Sequence, residues 1–359
     1  MSKYDLKSVM LQFKAPGEFN NGVPYGGGHI NDTFKVEMTT GDSTTRYILQ
    51  RINHLVFKRP DKMMDNIHRV TEHLRNKEHS AFKNPMYLIK THDDEIFHHD
   101  PNGNYWRVYN FIEGALTYDI IESTEQAYQG AKAFGTFQCE LSDLPGEDLY
   151  ETIPDFHNTP KRYKDFEQAT IEGITERINF AEDEISQAKK LRKFAPAITD
   201  LLAAGSIPHR VTHNDTKLNN VMLENETNIG VCVIDLDTLM TGSALYDFGD
   251  FIRTAGRIGA EDEKDLDKIS FCHEMYEASL KGYLETAGEA LNDVEKENLG
   301  ISSIVITYEV GLRFLTDYLM GDTYFKTKHE THNLERARVQ FKMAREIKKH
   351  LSQLNELVK

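Results

Sequence analysis

What this chain lacks narrows it first. Its 359 residues contain only three cysteines, Cys139, Cys232 and Cys272, with no C-x-x-C pair. That argues against a disulfide framework or a zinc–cysteine site, and it fits a reducing compartment, so a cytoplasmic location is expected. Positive charge is in deficit: 42 Lys and Arg face 57 Asp and Glu, a net charge of −15. Nucleic acid and anionic membrane are therefore not expected partners, although a site can be locally positive on an acidic protein. No run of about 18 apolar residues suggests a membrane span. The opening MSKYDLKSVMLQF is too polar for a secretory signal. Repeats and low-complexity linkers are also missing. There is no G-x-x-x-x-G-K-[ST], which excludes a P-loop. With 39% hydrophobic and 28% charged residues, the composition is that of a folded protein, and an enzyme is expected. The length suits two domains, or one body with two lobes.

What is present changes in texture along the chain. Residues 33–38 alternate, TTGDST forms a polar turn, and 46–50 (RYILQ) is β-prone, a hairpin signal. Met63, Ile67, Val70 and Leu74 recur at helical spacing over about 59–75. Residues 95–98 and 105–111 flank the turn-forming pairs Asp100-Pro101 and Asn102-Gly103, a second hairpin. After Glu113-Gly114 the pattern is mainly helical, with helices expected near 122–142, 160–203, 262–286, 301–320 and 330–357. A mixed island at 210–250 interrupts them. The expected fold class is α+β: a small β-rich N-terminal lobe of residues 1–110 and a larger helical lobe of residues 111–359. A cleft between such lobes is a preferred ligand site.

The island carries the chemistry. It runs His213-Asn214-Asp215-Thr216-Lys217-Leu218-Asn219-Asn220, then two short apolar runs around an Asn-containing loop, then Asp235. The runs read as an antiparallel hairpin with Asn220 just before it and Asp235 just after. Those positions are neighbours at the open end, so two hard oxygen ligands sit side by side. Phosphoryl transfer from ATP needs such ligands for Mg2+, a carboxylate to orient the attacking hydroxyl, and positive charge on the phosphates. H-x-D-x-K-x-x-N followed by a lone Asp is the kinase spacing. The plainer alternative is a polar loop in which Asp215 and Asn220 cap turns. Ahead of the island, Tyr25-Gly26-Gly27-Gly28-His29-Ile30-Asn31 could let the backbone approach phosphates, or be a simple glycine turn. Trp106 to Gly114 ends the small lobe as an edge strand and connector.

These residues resemble the aminoglycoside phosphotransferase/choline kinase superfamily, across nearly the whole chain. YGGGHINDTF, RYILQRIN, RVYNFIEG, RVTHNDTKLNN, VIDLDTLMTGSALYDFGD and GLRFLTDYLMGDTYFKTK look more specifically like its N-acetylhexosamine 1-kinase subfamily. The resemblance implies a two-lobed, protein-kinase-like fold. It also implies transfer from ATP to the anomeric 1-hydroxyl of N-acetylglucosamine or N-acetylgalactosamine. It places Asp215 as catalytic base and Lys217 as charge neutraliser, with Asn220 and Asp235 on Mg2+. Gly26, Gly27, Gly28, Asn31, Asn110 and Ile112 fall where nucleotide is bound. Asp247 and Asp250 would brace the catalytic and metal loops. One departure is that Gln50 stands where the superfamily has a phosphate-binding lysine, which the subfamily shares.

A neutral sugar needs convergent hydrogen-bonding groups near Asp215. Glu309, Arg313 and Asp317 share one face of the 301–320 helix, as a charge ladder or as site residues. The resemblance favours Arg313 as a sugar ligand, and Tyr324 and His29 could also reach the sugar. His92, His98 and His99 read as a solvated loop rather than a metal cluster. The rival functions are a choline- or aminoglycoside-type kinase and a nucleotide-binding pseudokinase. A monomer or a homodimer is expected.

Overall fold

Side-chain alternation builds the first sheet. The computed structural model describes residues 4–26, 30–78, 80–82, 84–145 and 149–358. After α1 (Leu6–Met10) come β1 (Glu18–Pro24), β2 (Asp32–Thr40) and β3 (Ser43–Ile52). The helix α2 (Pro60–Arg75) follows, then β4 (His98–His99) and β5 (Tyr105–Asn110). The strands form one antiparallel sheet in the order β1-β2-β3-β5-β4. Phe34, Val36 and Met38 alternate inward on β2, and with Tyr47, Leu49, Trp106, Val108 and α1 they close a small core. The sequence pattern anticipates β2, β3, α2 and β5. It misses β1, whose positions are all half or fully exposed, so no period of two is visible.

The second region is larger and mostly helical. β6 (Ala115–Leu116) leads to α3 (Thr124–Glu140). The helix expected over 160–203 is instead α4 (Thr159–Glu172), α5 (Thr175–Phe180), α6 (Glu182–Leu191), a 3-10 turn and α7 (Ala197–Ala203). Gly173 ends α4 in an extended conformation, where a Cβ would lie 2.6 Å from the Ala169 carbonyl oxygen. The central island supplies β7 (Arg210–Thr212), the hairpin β8 (Val221–Glu224) with β9 (Gly230–Val233), and β10 (Met240–Gly242). Then come α8 (Ala244–Ala255), β11 (Arg257–Ile258), β12 (Ser270–Phe271), α9 (His273–Ala287), α10 (Asp293–Glu297), α11 (Leu299–Leu319) and α12 (His332–Glu356). The helix expected from 262 begins only at His273. The preceding residues form the β11–β12 pair and a turn capped by Asp265.

α11 is long and apolar enough by composition to cross a membrane, a property the search for unbroken apolar runs overlooks. Within this fold 78% of that stretch is buried, and Ile304, Val305, Tyr308, Leu312 and Leu315 are central core residues. α3 and α9 pack so closely that a Cβ on Gly282 would stand 2.2 Å from the Tyr128 carbonyl oxygen. Gly282→Val should therefore cost about 1–3 kcal/mol or more, the usual range for overpacking. The midpoint of thermal unfolding should fall; an unchanged midpoint would show that the helices are not this close.

Candidate active site

The loop after β7 is held by its own backbone. Asp247, in the first turn of α8, accepts the N–H groups of His213 at 3.0 Å and Asn214 at 2.8 Å. Asp250, one turn on, accepts Thr216 N–H at 2.9 Å and pairs with Arg253 at 2.8 Å. Asn214 takes a left-handed conformation, φ 66°, which Asn tolerates better than most residues. His213 Nε2 lies 2.9 Å from the Ile234 carbonyl oxygen, while its Nδ1 accepts the Asp215 N–H at 3.3 Å. The ring is thus held as the Nε2–H tautomer, bridging the loop to the end of β9.

Asp215 emerges from this frame with its carboxylate 29% exposed and Lys217 Nζ 3.0 Å away. Burial pushes its pKa up, but Lys217, His213 and Arg253 together outweigh this and hold it below the usual carboxylate value. Asn220 Nδ2 donates to the Asp215 carbonyl at 2.7 Å and to its Oδ2 at 3.2 Å. That leaves the Asn220 amide oxygen as the atom that could bind a cation. Asp235 follows β9 at φ 59° and is exposed at the cleft floor. Surrounding protein, then Asp237 and Asp215, push its pKa up to about 6. Such like-charge crowding is the electrostatic mark of a site that gains from a cation. Two protein oxygens suit Mg2+, which commonly takes one or two side-chain ligands plus substrate phosphates.

Positive charge beneath this floor comes from Arg107 on β5. It is only 1% exposed, and its Nη1 lies 2.5 Å from Asp237 Oδ1, an ion pair rather than a well-aligned hydrogen bond. β3 places Gln50 opposite Arg107, and Gln50 Oε1 accepts from Arg107 Nε at 2.9 Å. Gln50 is therefore a strut for a buried guanidinium. Asn31 also reaches Asp237, donating to Oδ2 at 2.7 Å, and accepts the Asn53 N–H at 2.9 Å. The Asn31 amide, expected at the nucleotide, is thus engaged in a clasp between the sheet and the loop that carries Asp235 and Asp237. Asn110, also expected at the nucleotide, is engaged in the same way. Its Oδ1 accepts the Tyr87 N–H, its Nδ2 reaches the Pro85 carbonyl at 3.3 Å, and its own N–H goes to Tyr87.

On the other side of Asp215, the charge ladder along α11 does not form. Glu309 is fully buried and pairs with His157 and Thr159. Asp317 accepts the N–H groups of Thr323, Tyr324 and Phe325, and so builds the loop that presents Tyr324. Arg313 has no ion-pair partner among the described residues. Its guanidinium lies 5.1 Å from the Phe156 ring, 5.7 Å from Phe325 and 6.0 Å from Tyr324. Tyr324 itself is 64% exposed.

A family model described as the phosphotransferase enzyme family matches residues 21–292, well over half the chain. The chain belongs to that family. Solved structures share its fold. One is an aminoglycoside phosphotransferase from Alicyclobacillus acidocaldarius, 12% identical with a TM-score of 0.63, covering 100% of this chain and 97% of that one. Another is a spectinomycin phosphotransferase in complex with ADP and spectinomycin, 16% identical, TM-score 0.54, covering 94% of each chain. A third is a choline kinase from Cryptosporidium parvum, 16% identical, TM-score 0.55, covering 93% of this chain and 90% of that one.

In this phosphotransferase the structure brings Asp215, Lys217, Asn220 and Asp235 together, and it sets Arg313 beside Tyr324, one helical turn from Glu309. Gly26 has φ 76° with open space around it. Gly27, Gly28 and His29 lie outside the described residues. Ile112 is buried in the main core, so only its backbone could face a ligand. Sequence reasoning missed Arg107, Asp237 and His157, and left Glu309 open between a charge ladder and a site residue. The one local signal was a charged residue, Arg107, inside the apolar run Trp106–Val108. Removing one partner of a buried ion pair typically costs about 3–5 kcal/mol. Asp237→Ala should lower the unfolding midpoint accordingly, whereas Asp235→Asn, which relieves repulsion, should raise it in metal-free protein. Equal destabilisation by both would contradict the charge distribution described.

Proposed function

We propose that this phosphotransferase moves the γ-phosphoryl group of ATP to the anomeric 1-hydroxyl of an N-acetylhexosamine, giving the sugar 1-phosphate and ADP. Asp215 accepts the hydroxyl proton as the oxygen attacks in line, a task suited to a carboxylate that Lys217 keeps ionised. Lys217 then faces the charge on the transferred group. Asn220 and Asp235 would hold Mg2+, which when bound would neutralise phosphate charge. Adenine would rest on the connector after β5. The backbone of Phe111, Ile112 and Glu113, just past the end of β5, would serve it. Tyr25 packs on Phe111 at 5.7 Å, bringing the start of the glycine loop to the same connector. The reading treats residues 1–110 as the nucleotide lobe and 111–359 as the catalytic and acceptor lobe.

The observation that carries the acceptor is Arg313. A guanidinium with no carboxylate partner repels a cation, which disfavours choline or aminoglycoside acceptors. It suits the oxygens of a neutral sugar, beside the ring and hydroxyl of Tyr324. His29 is proposed as a further sugar contact. Asp215→Asn should lose at least about 10²-fold in turnover while still binding ATP, the usual size of a general-base contribution. A panel of N-acetylglucosamine, N-acetylgalactosamine, other sugars, choline and aminoglycosides, with ATP consumption as readout, tests the acceptor. Turnover confined to N-acetylhexosamines is expected. Turnover of choline or an aminoglycoside, or Mg·ATP binding without turnover of any member, would overturn the reading.

A further inference from the structure

His157 belongs to none of the motifs above, yet it grips the catalytic loop. It lies just before α4, buried between Phe156 and the Tyr246 ring, whose centroid is 4.9 Å away. Its Nδ1 is 2.8 Å from Glu309 Oε1, and its Nε2 is 3.1 Å from the backbone carbonyl oxygen of Asn214. A carboxylate and a carbonyl can only accept, so both ring nitrogens must donate and the ring is an imidazolium. The other Glu309 oxygen accepts from Thr159 Oγ1 at 2.6 Å, which supports an ionised carboxylate. Burial disfavours the charged ring, but Glu309 outweighs burial and raises the His157 pKa above its ordinary value. Asp250 from α8 adds to that pull, and Arg313 from α11 opposes it. Glu309 is correspondingly lowered: burial pushes it up, and His157, Thr159 and Arg313 together more than reverse this.

We infer that His157 and Glu309 form a positioning pair for Asp215. The imidazolium fixes the carbonyl of Asn214, the left-handed residue next to the base, and so sets the direction in which Asp215 leaves the loop. Glu309 ties the same contact to α11, one turn from Arg313, linking the acceptor wall to the base. The inference rests on the reading of Asp215 as base. A neutral imidazole has one N–H and must release either Glu309 or Asn214. The contact is therefore complete below the ordinary histidine pKa and is lost as pH rises through the raised folded value. Turnover should show an alkaline fall from this source.

The test compares wild type, His157→Leu, His157→Gln and Glu309→Gln from about pH 6 to 9.5, spanning the histidine range. It follows N-acetylglucosamine phosphorylation, acceptor-free ATP hydrolysis and Mg·ATP affinity. Misplacing a reacting group by about 1 Å can cost about 10²-fold. His157→Leu is thus expected to lose about 10- to 100-fold in kcat in both assays, with ATP affinity within about two-fold. His157→Gln, which can still donate to Asn214, should recover part of this. Glu309→Gln leaves a neutral ring free to donate Nε2–H to Asn214, and it should lose the alkaline fall. If His157→Leu fails to fold, the other two variants decide. Wild-type kcat and an unchanged pH profile in both would overturn the inference, as would ATP affinity falling in step with kcat. Hydrolysis that responds as expected while no sugar is phosphorylated would defeat the acceptor reading alone. Hydrolysis indifferent to Asp215→Asn would overturn the base and this inference together.

Discussion

Two buried hydrogen bonds to one carboxylate set the site. Asp247 accepts the N–H groups of His213 and Asn214, and it does so from the first turn of α8, where the helix end favours negative charge. Burial pushes its carboxyl pKa up, and the two N–H donors counter this. Without it, two backbone donors would be buried unsatisfied, at about 1–3 kcal/mol each. The left-handed turn at Asn214 and the exit direction of Asp215 both depend on those bonds. Asp250 repeats the device for Thr216, so α8 serves as a rigid jig for a loop that could not hold this shape alone.

Charge is then distributed by depth. Arg107 is sealed beneath the floor, where it steadies Asp237 and the loop that carries Asp235. Lys217 lies beside Asp215, partly exposed, and Arg313 makes no direct ion pair among the described residues. An acidic protein thereby presents cations where phosphate and acceptor would meet, and its surplus of carboxylates says little about the cleft. Asp235 is the exception, a carboxylate crowded by two others. A stability cost at such a position is what a functional site carries and a purely structural loop would not.

Much of this was legible in the sequence because the floor is local. His213, Asp215, Lys217 and Asn220 fall within eight residues, and the hairpin that brings Asp235 beside Asn220 is short enough to read from two apolar runs and their loop. The walls were not legible. His157 and Glu309 are 152 residues apart, and no periodicity joins them. Glu309 instead shared a helical spacing with Arg313 and Asp317, which suggested a ladder. Burial sent the three side chains to different partners. Gln50 was read as a missing lysine, whereas the cation it supports sits across the β3–β5 pair at Arg107, a register visible only in the sheet. Asn31 and Asn110 were placed by position alone, and the partners that engage their amides come from distant segments.

The central claim is that the catalytic loop is set before any ligand arrives. Amide hydrogen exchange on the ligand-free protein tests it most directly. The account predicts strong protection at His213, Asn214 and Thr216, with the first two lost in Asp247→Ala and the third retained while Asp250 remains. Exchange of these amides at the rate of an open loop in the wild-type protein would contradict it.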